Sequence, residues 1–177
     1  MHRIALTLVF ALATGCGSDG PTHWSKQPLE TFEGTNDGVS FTIQLPKGMK
    51  KSSVESKYDV EYAYHAEVGG ESRTFAPSVS VSKASKKETL EDAIKSESSV
   101  KAPTDIVFKE ESADGWVYAL ENDSYKGRED YLLRAQKTIG DISFRCTARV
   151  YPMKKGGKTK GDIPLVAKMC QSLAVKK

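Results

Sequence analysis

The segment Asp105–Tyr151, DIVFKEESADGWVYALENDSYKGREDYLLRAQKTIGDISFRCTARVY, decides the fold. Four runs read as strands, near 105–112, 116–122, 130–139 and 142–151, and in the last of them apolar and polar residues alternate with a period of two. That period belongs to strands with one buried face. The runs are separated by Asp114-Gly115, Lys126-Gly127 and Gly140-Asp141, dipeptides that supply the positive backbone angles of tight hairpins. A four-stranded antiparallel meander is expected. In its last run Ile142, Phe144, Cys146, Ala148 and Val150 share one face, and Ser143, Arg145, Thr147 and Arg149 the other.

Upstream, Val39, Phe41, Ile43 and Leu45 form another apolar row, closed by Pro46-Lys47-Gly48. Tyr58, Val60, Tyr62, Tyr64 and Ala66 form the next, up to Gly69-Gly70, and Val79 and Val81 alternate with Ser78, Ser80 and Ser82. Thr89, with Asp92 three residues on, is a variant capping box for a helix with Leu90, Ala93, Ile94 and Glu97 on one side, ended by Pro103. A last helix begins near Asp162, whose carboxylate suits the helix start, and Ile163, Val166, Met169, Cys170 and Leu173 lie on one side of it. The fold class is α+β: an antiparallel sheet of about 6–7 strands flanked by helices.

The chain opens with MHRIALTLVFALATGC: Arg3, an apolar run from Ile4 to Ala13, then small residues before Cys16. The run is shorter than the roughly 18 residues that span a bilayer, so residues 1–15 are expected to be a cleaved export signal. The stretch resembles a bacterial lipobox, although Ala13 stands where such boxes usually carry Leu. Ala11-Leu12-Ala13 offers the alternative of ordinary cleavage after Ala13. Similarity to lipoproteins implies diacylglycerol and an N-acyl group on Cys16, several chains being needed for stable attachment. The membrane is then a partner through lipid alone, and Gly17 after the cysteine favours the outer membrane over the inner.

With Cys16 acylated, Cys146 and Cys170 remain as an even pair, and an oxidising periplasm permits their disulfide. Their alternations turn both sulfurs inward. Residues 16–29 are polar and turn-rich, a tether, and 30–177 have the size of one domain.

The body resembles the PsbP-like fold, an α/β/α sandwich. The stretches carrying the resemblance are DGVSFTIQLPKGMK, SVSVSKASKKETLEDAIK, RCTARVYP and DIPLVAKMCQSLAV. Members mostly act as non-catalytic binding or assembly modules, which implies an envelope protein as partner.

Loss of Arg3 from 26 basic residues leaves 25 against 23 acidic ones, a net charge of +2. This gives no argument for nucleic acid. Beyond the leader the histidines are His23, in the tether, and His65. His65 shares a strand face with Asp59, Glu61 and Glu67, but Asp59 and His65 are about 20 Å apart along the strand and cannot hold one ion. The string GGKT at 156–159 lacks the first glycine of a phosphate loop, with Pro152 in its place. The sequence therefore assigns no catalytic residue, metal or cofactor. Lys154, Lys155, Lys158 and Lys160 form its most basic loop, a candidate site for anionic ligands. Tyr58, Tyr62, Tyr64, Trp116 and Tyr118 are expected to cluster if their strands share a face. The functional expectation is a lipid-anchored cell-envelope binding or assembly module without catalysis, facing the periplasm. The alternative is a carrier of a hydrophobic small molecule or lipid, with a cavity between sheet and helix.

Overall fold

The computed structural model describes residues 22–53, 56–97, 105–121, 129–153 and 157–176. Their strands are β1 (Leu29–Asn36), β2 (Val39–Pro46), β3 (Met49–Lys51), β4 (Val60–Val68), β5 (Glu71–Lys83), β6 (Ile106–Ser112), β7 (Gly115–Glu121), β8 (Tyr131–Ile139), β9 (Ile142–Val150) and β10 (Ala174–Val175). The helices are α1 (Leu90–Ser96) and α2 (Ile163–Gln171), with 3-10 turns at Trp24–Lys26 and Lys160–Asp162. Antiparallel strands in the order β3-β4-β5-β9-β8-β7-β6 make a seven-stranded sheet. The meander β6 to β9 is present, with the expected turns at Asp114-Gly115 and Gly140-Asp141, while Lys126-Gly127 lies outside the described residues. No helix among the described residues is long and apolar enough to cross a membrane.

The row 39–45 belongs elsewhere. It is β2, the middle of a second sheet ordered β1-β2-β10, so the expected single sheet becomes two. β1 carries little apolar alternation because its inward positions are Phe32, Gly34 and Asn36. A Cβ on Gly34 would collide with the Phe41 ring and lie 2.8 Å from the Tyr62 hydroxyl, so a strand position that reads as weak is the one the packing requires. Asn36 is buried and accepts from the Lys83 backbone N–H at 2.8 Å.

Register sets two faces. Across the inner face run Val60, Val81, Cys146, Ala135 and Val117, and beside them Tyr62, Val79, Ala148, Leu133 and Ala119. The small sheet and α2 cover this face, and Phe41 meets Phe144 edge-on at 5.5 Å. The outer face carries Glu61, Ser80, Thr147, Arg134 and Tyr118 in one row, and Ser82, Arg145, Gln136 and Trp116 in the next. Here α1 packs Leu90, Ala93 and Ile94 on Trp116, Tyr118 and Leu120. Thr89 caps α1, its hydroxyl accepting from the Asp92 N–H at 3.1 Å.

Three expectations change in detail. Tyr58 precedes β4 and is 73% exposed, so its apolar row begins at Val60. β5 starts at Glu71, well before Ser78, and its pairing skips Ala76 and Pro77 between Ser78↔Ala63 and Phe75↔Tyr64. A proline in a central strand is tolerated at such a bulge. Asp162 stands at the start of α2 but makes no side-chain cap. Its carboxylate lies 3.9 Å from His23, and burial raises its pKa against the opposing effects of His23 and Ser25.

The packed body also reaches further back than Glu30. Trp24 is fully buried among the inner-face residues, and the Tyr64 hydroxyl donates to the Thr22 carbonyl at 3.0 Å. Residues 22–28, expected in the tether, are thus part of the domain, since the indole buries more apolar area than a polar linker could offset by staying solvated. Trp24→Ala is expected to cost about 3–5 kcal/mol in urea unfolding and to speed amide exchange at Lys26 and Gln27, whose N–H groups close the turn on His23 and Trp24.

Cys146, mid-β9, and Cys170, in the last turn of α2, are bonded, with Cα atoms 5.7 Å apart. Closing a loop of sequence separation 24 stabilises the fold by about 3 kcal/mol in the chain-entropy account. Cys146→Ala, Cys170→Ala and the double change are expected to lower urea stability by the same amount, because each removes one shared bridge. Additive losses would contradict a native bond.

Candidate functional site

The outer face of β8 and β9 places three arginines against three carboxylates of low exposure. Arg134 Nε donates to Glu97 Oε2 at 3.2 Å, and its Nη1 to Thr147 Oγ1 at 3.2 Å. Arg145 Nη2 donates to Glu88 Oε2 at 3.3 Å. Arg149 grips the buried Asp130 through Nε, at 3.1 and 3.2 Å, and Nη2, at 2.5 Å. The first two pairs border a cavity of about 220 Å³ between α1 and the sheet, with Tyr118 and Trp116 on its floor and Ala93 and Ser96 on its wall.

A buried glutamine builds one rim. Gln136 Oε1 accepts from the Glu88 N–H at 2.7 Å and its Nε2 donates to the Lys86 carbonyl at 3.0 Å, while Trp116 Nε1 donates to the Glu88 carbonyl at 2.8 Å. Both polar ends of the amide are satisfied, as burial demands. The loop before α1 is thereby fixed, and the Glu88 carboxylate, 11% exposed, is held toward Arg145. Glu97 follows the last residue of α1 and its side chain is 12% exposed, so helix length sets the other rim. Arg145 is 47% exposed and reachable from solvent. Arg134 pairs with Thr147, and Arg145 with Gln136, so the guanidinium groups sit at diagonal positions whose Cα atoms are roughly 7–8 Å apart.

Burial, with the Glu97 charge second, pushes the Tyr118 hydroxyl up to about 12. Burial does the same for Tyr62, whose hydroxyl donates to the Glu33 carbonyl at 2.9 Å. A group raised above its unfolded value of 10.0 contributes stability in full below pH 10 and loses it as pH climbs toward about 12. Folding stability is expected to fall across that window, with tyrosinate absorbance rising later than for an exposed tyrosine. Titration of both rings near pH 10 in the folded protein would contradict this.

No protein-family model and no curated protein matches this chain. Function therefore rests on where its own residues stand. Cys146 and Cys170 come together. Cys16, Lys154 and Lys155 lie outside the described residues. Lys158 and Lys160 are exposed, and the basic loop has an acidic neighbour that the sequence hides: Glu129 accepts from the Thr159 and Lys160 N–H groups at 2.9 and 3.3 Å. The aromatic cluster divides. Tyr62 and Tyr64 face the small sheet and Trp24, whereas Trp116 and Tyr118 stack at 5.6 Å beneath α1 on the opposite face. Strand parity separates them, and β5, β9 and β8 intervene. His65 is half-buried and opposite Thr74, its N–H donating to the Gly48 carbonyl. Among the described residues no group of three His, Cys, Asp or Glu could hold a metal.

Sequence reasoning did not find Glu88, Glu97, Arg134 or Gln136 as a site. The alternation 142–150 put Arg145, Thr147 and Arg149 on one side, and that was the available signal. Their carboxylate partners come from the ends of α1 and from Asp130, where no periodicity points.

Proposed function

We propose that the chain is a lipid-anchored cell-envelope binding module without catalytic activity, attached through Cys16, with an envelope protein as partner. The observation that carries the binding reading is the groove between α1 and β7–β9. Its charged groups stand in pairs, Arg134 with Glu97 and Arg145 with Glu88, and Gln136 fixes the backbone that carries Glu88. Tyr118 keeps its proton at neutral pH, whereas a general acid or base works best with a pKa near the working pH. Groups so arranged recognise a ligand by charge and shape.

A PsbP-like α/β/α sandwich is the finer fold assignment we propose. It is supported by α1 on one face of the large sheet and by α2, with the small sheet, on the other. The anchor reading draws on the leader and on the position of Thr22, whose carbonyl accepts from the Tyr64 hydroxyl and so belongs to the packed domain. Residues 17–21 separate it from Cys16, a reach of at most about 20 Å. Such a leash holds the domain close to the bilayer, facing the periplasm, with the outer membrane favoured. The carrier alternative needs an apolar cavity between sheet and helix. In that layer Phe41, Phe144, Met169 and Val166 are fully buried, and the cavity of about 270 Å³ beside the end of α2 carries the charged Asp114 and Lys137 among its lining residues, so we do not adopt it.

Expressed in a bacterium with its leader, the wild-type chain is expected in the membrane fraction, with acyl mass on an N-terminal Cys16. Cys16→Ala is expected to leave the detergent phase for the aqueous one. A wild-type chain recovered without acyl mass would end the anchor proposal.

A further inference from the structure

We infer that the groove between α1 and β7–β9 takes a small zwitterion, a ligand of amino-acid or dipeptide size that carries both a carboxylate and an ammonium group. The inference rests on the binding reading above and names the ligand class of that site.

Among the described residues, the charges that line the cavity come in both signs and in equal number. Arg134 and Arg145 stand on the sheet, and Glu88 and Glu97 at the two ends of α1. A ligand with only negative charge would gain the guanidinium groups but meet two carboxylates in the same 220 Å³. A ligand with only positive charge would meet the arginines. Each is penalised by the like charges that stay in place. A ligand bearing both signs complements each rim without displacing either pair.

Donor capacity remains for it. Arg134 spends Nε and Nη1 on Glu97 and Thr147, and Arg145 spends Nη2 on Glu88. Among the described residues, Nη2 of Arg134 and Nε and Nη1 of Arg145 have no partner, so a carboxylate can accept a charge-assisted bond from each of the two guanidinium groups. Glu88 Oε1 lies 3.7 Å from the exposed Lys86 ammonium, a contact that a ligand ammonium can replace. Tyr118 retains its proton because burial holds its pKa high, and so offers a further donor on the floor.

Size limits the class. The cavity is smaller than the roughly 300–1,000 Å³ of pockets that hold drug-sized molecules. The pre-built rim matters as well, since Gln136 and Trp116 fix Glu88 before any ligand arrives, and a preorganised site loses little affinity to ordering.

The test is NMR on the isotope-labelled full chain, followed at the Trp116 indole N–H, which reports the Glu88 rim directly. L-glutamate, L-lysine and L-alanyl-L-alanine are the zwitterionic probes; N-acetyl-L-alanine and L-alaninamide each lack one charge. Saturable shifts are expected with at least one zwitterion, and at least tenfold weaker binding of both single-charge analogues. Arg145→Gln is expected to weaken that zwitterion tenfold or more, whereas Lys176→Gln, at a distant exposed pair with Glu33, leaves it unchanged. If Arg145→Gln does not fold, the comparison of analogues decides alone. No shift with any zwitterion, or equal binding by N-acetyl-L-alanine or L-alaninamide, overturns the assignment. A chain that carries lipid on Cys16 but gives no shift loses the ligand class and keeps the anchor.

Discussion

Strand β9 lies between β5 and β8 in a register that sets Cys146 against Val81 and Ala135, and both faces of the large sheet follow from that alignment. On one side the sulfur meets Cys170 and ties α2 down. On the other, Arg145, Thr147 and Arg149 stand in a row that α1 only partly covers. A slip of one residue would exchange the faces, burying guanidinium groups under α2 and exposing the cysteine. The covalent bond therefore does more than close a loop. It makes the correct register the one in which the sulfur can reach its partner, while the grip of Arg149 on the buried Asp130 carboxylate penalises the wrong one from the opposite face.

The two halves of the sheet solve different packing problems. Toward β4 and β5 the inner face is lined by Tyr62 and Tyr64, whose hydroxyls reach across to the Glu33 and Thr22 carbonyls. Large rings there require a small neighbour, and Gly34 supplies it. Toward β7 and β8 the inner positions shrink to Ala119, Leu133 and Ala135, and α2 comes close enough for the bond to Cys146. Lys137 donates to the Gln171 carbonyl at the end of α2, where a cation suits the helix dipole. Ser172 then accepts from the Gln44 N–H and hands the chain to β10.

Strongly periodic segments were legible in the sequence, and segments defined by a partner were not. β2, β4 and β9 announced themselves through alternating apolar residues, and the rest of the meander through its turn dipeptides. The Thr89 cap and the buried stripe of α2 were equally plain. β1 escaped because Phe32, Gly34 and Asn36 make no apolar pattern, and β10 because two residues cannot. Trp24 sat among polar neighbours, and only the pocket it fills distinguishes it from a linker tryptophan. The groove was half legible, as a row of arginines. Its acidic half depends on where α1 begins and ends over the sheet, which is a matter of tertiary placement.

Burial of Trp24 also fixes where any pull on the N-terminal side is felt. Force or tethering applied before Thr22 enters the domain beside the inner face, at the indole and at the Tyr64–Thr22 hydrogen bond, with Asp162 and the start of α2 adjacent through His23. The groove opens from the other side of the sheet. A surface that captured the leading end would therefore meet the domain back to front, leaving Arg134 and Arg145 turned toward the surrounding solution.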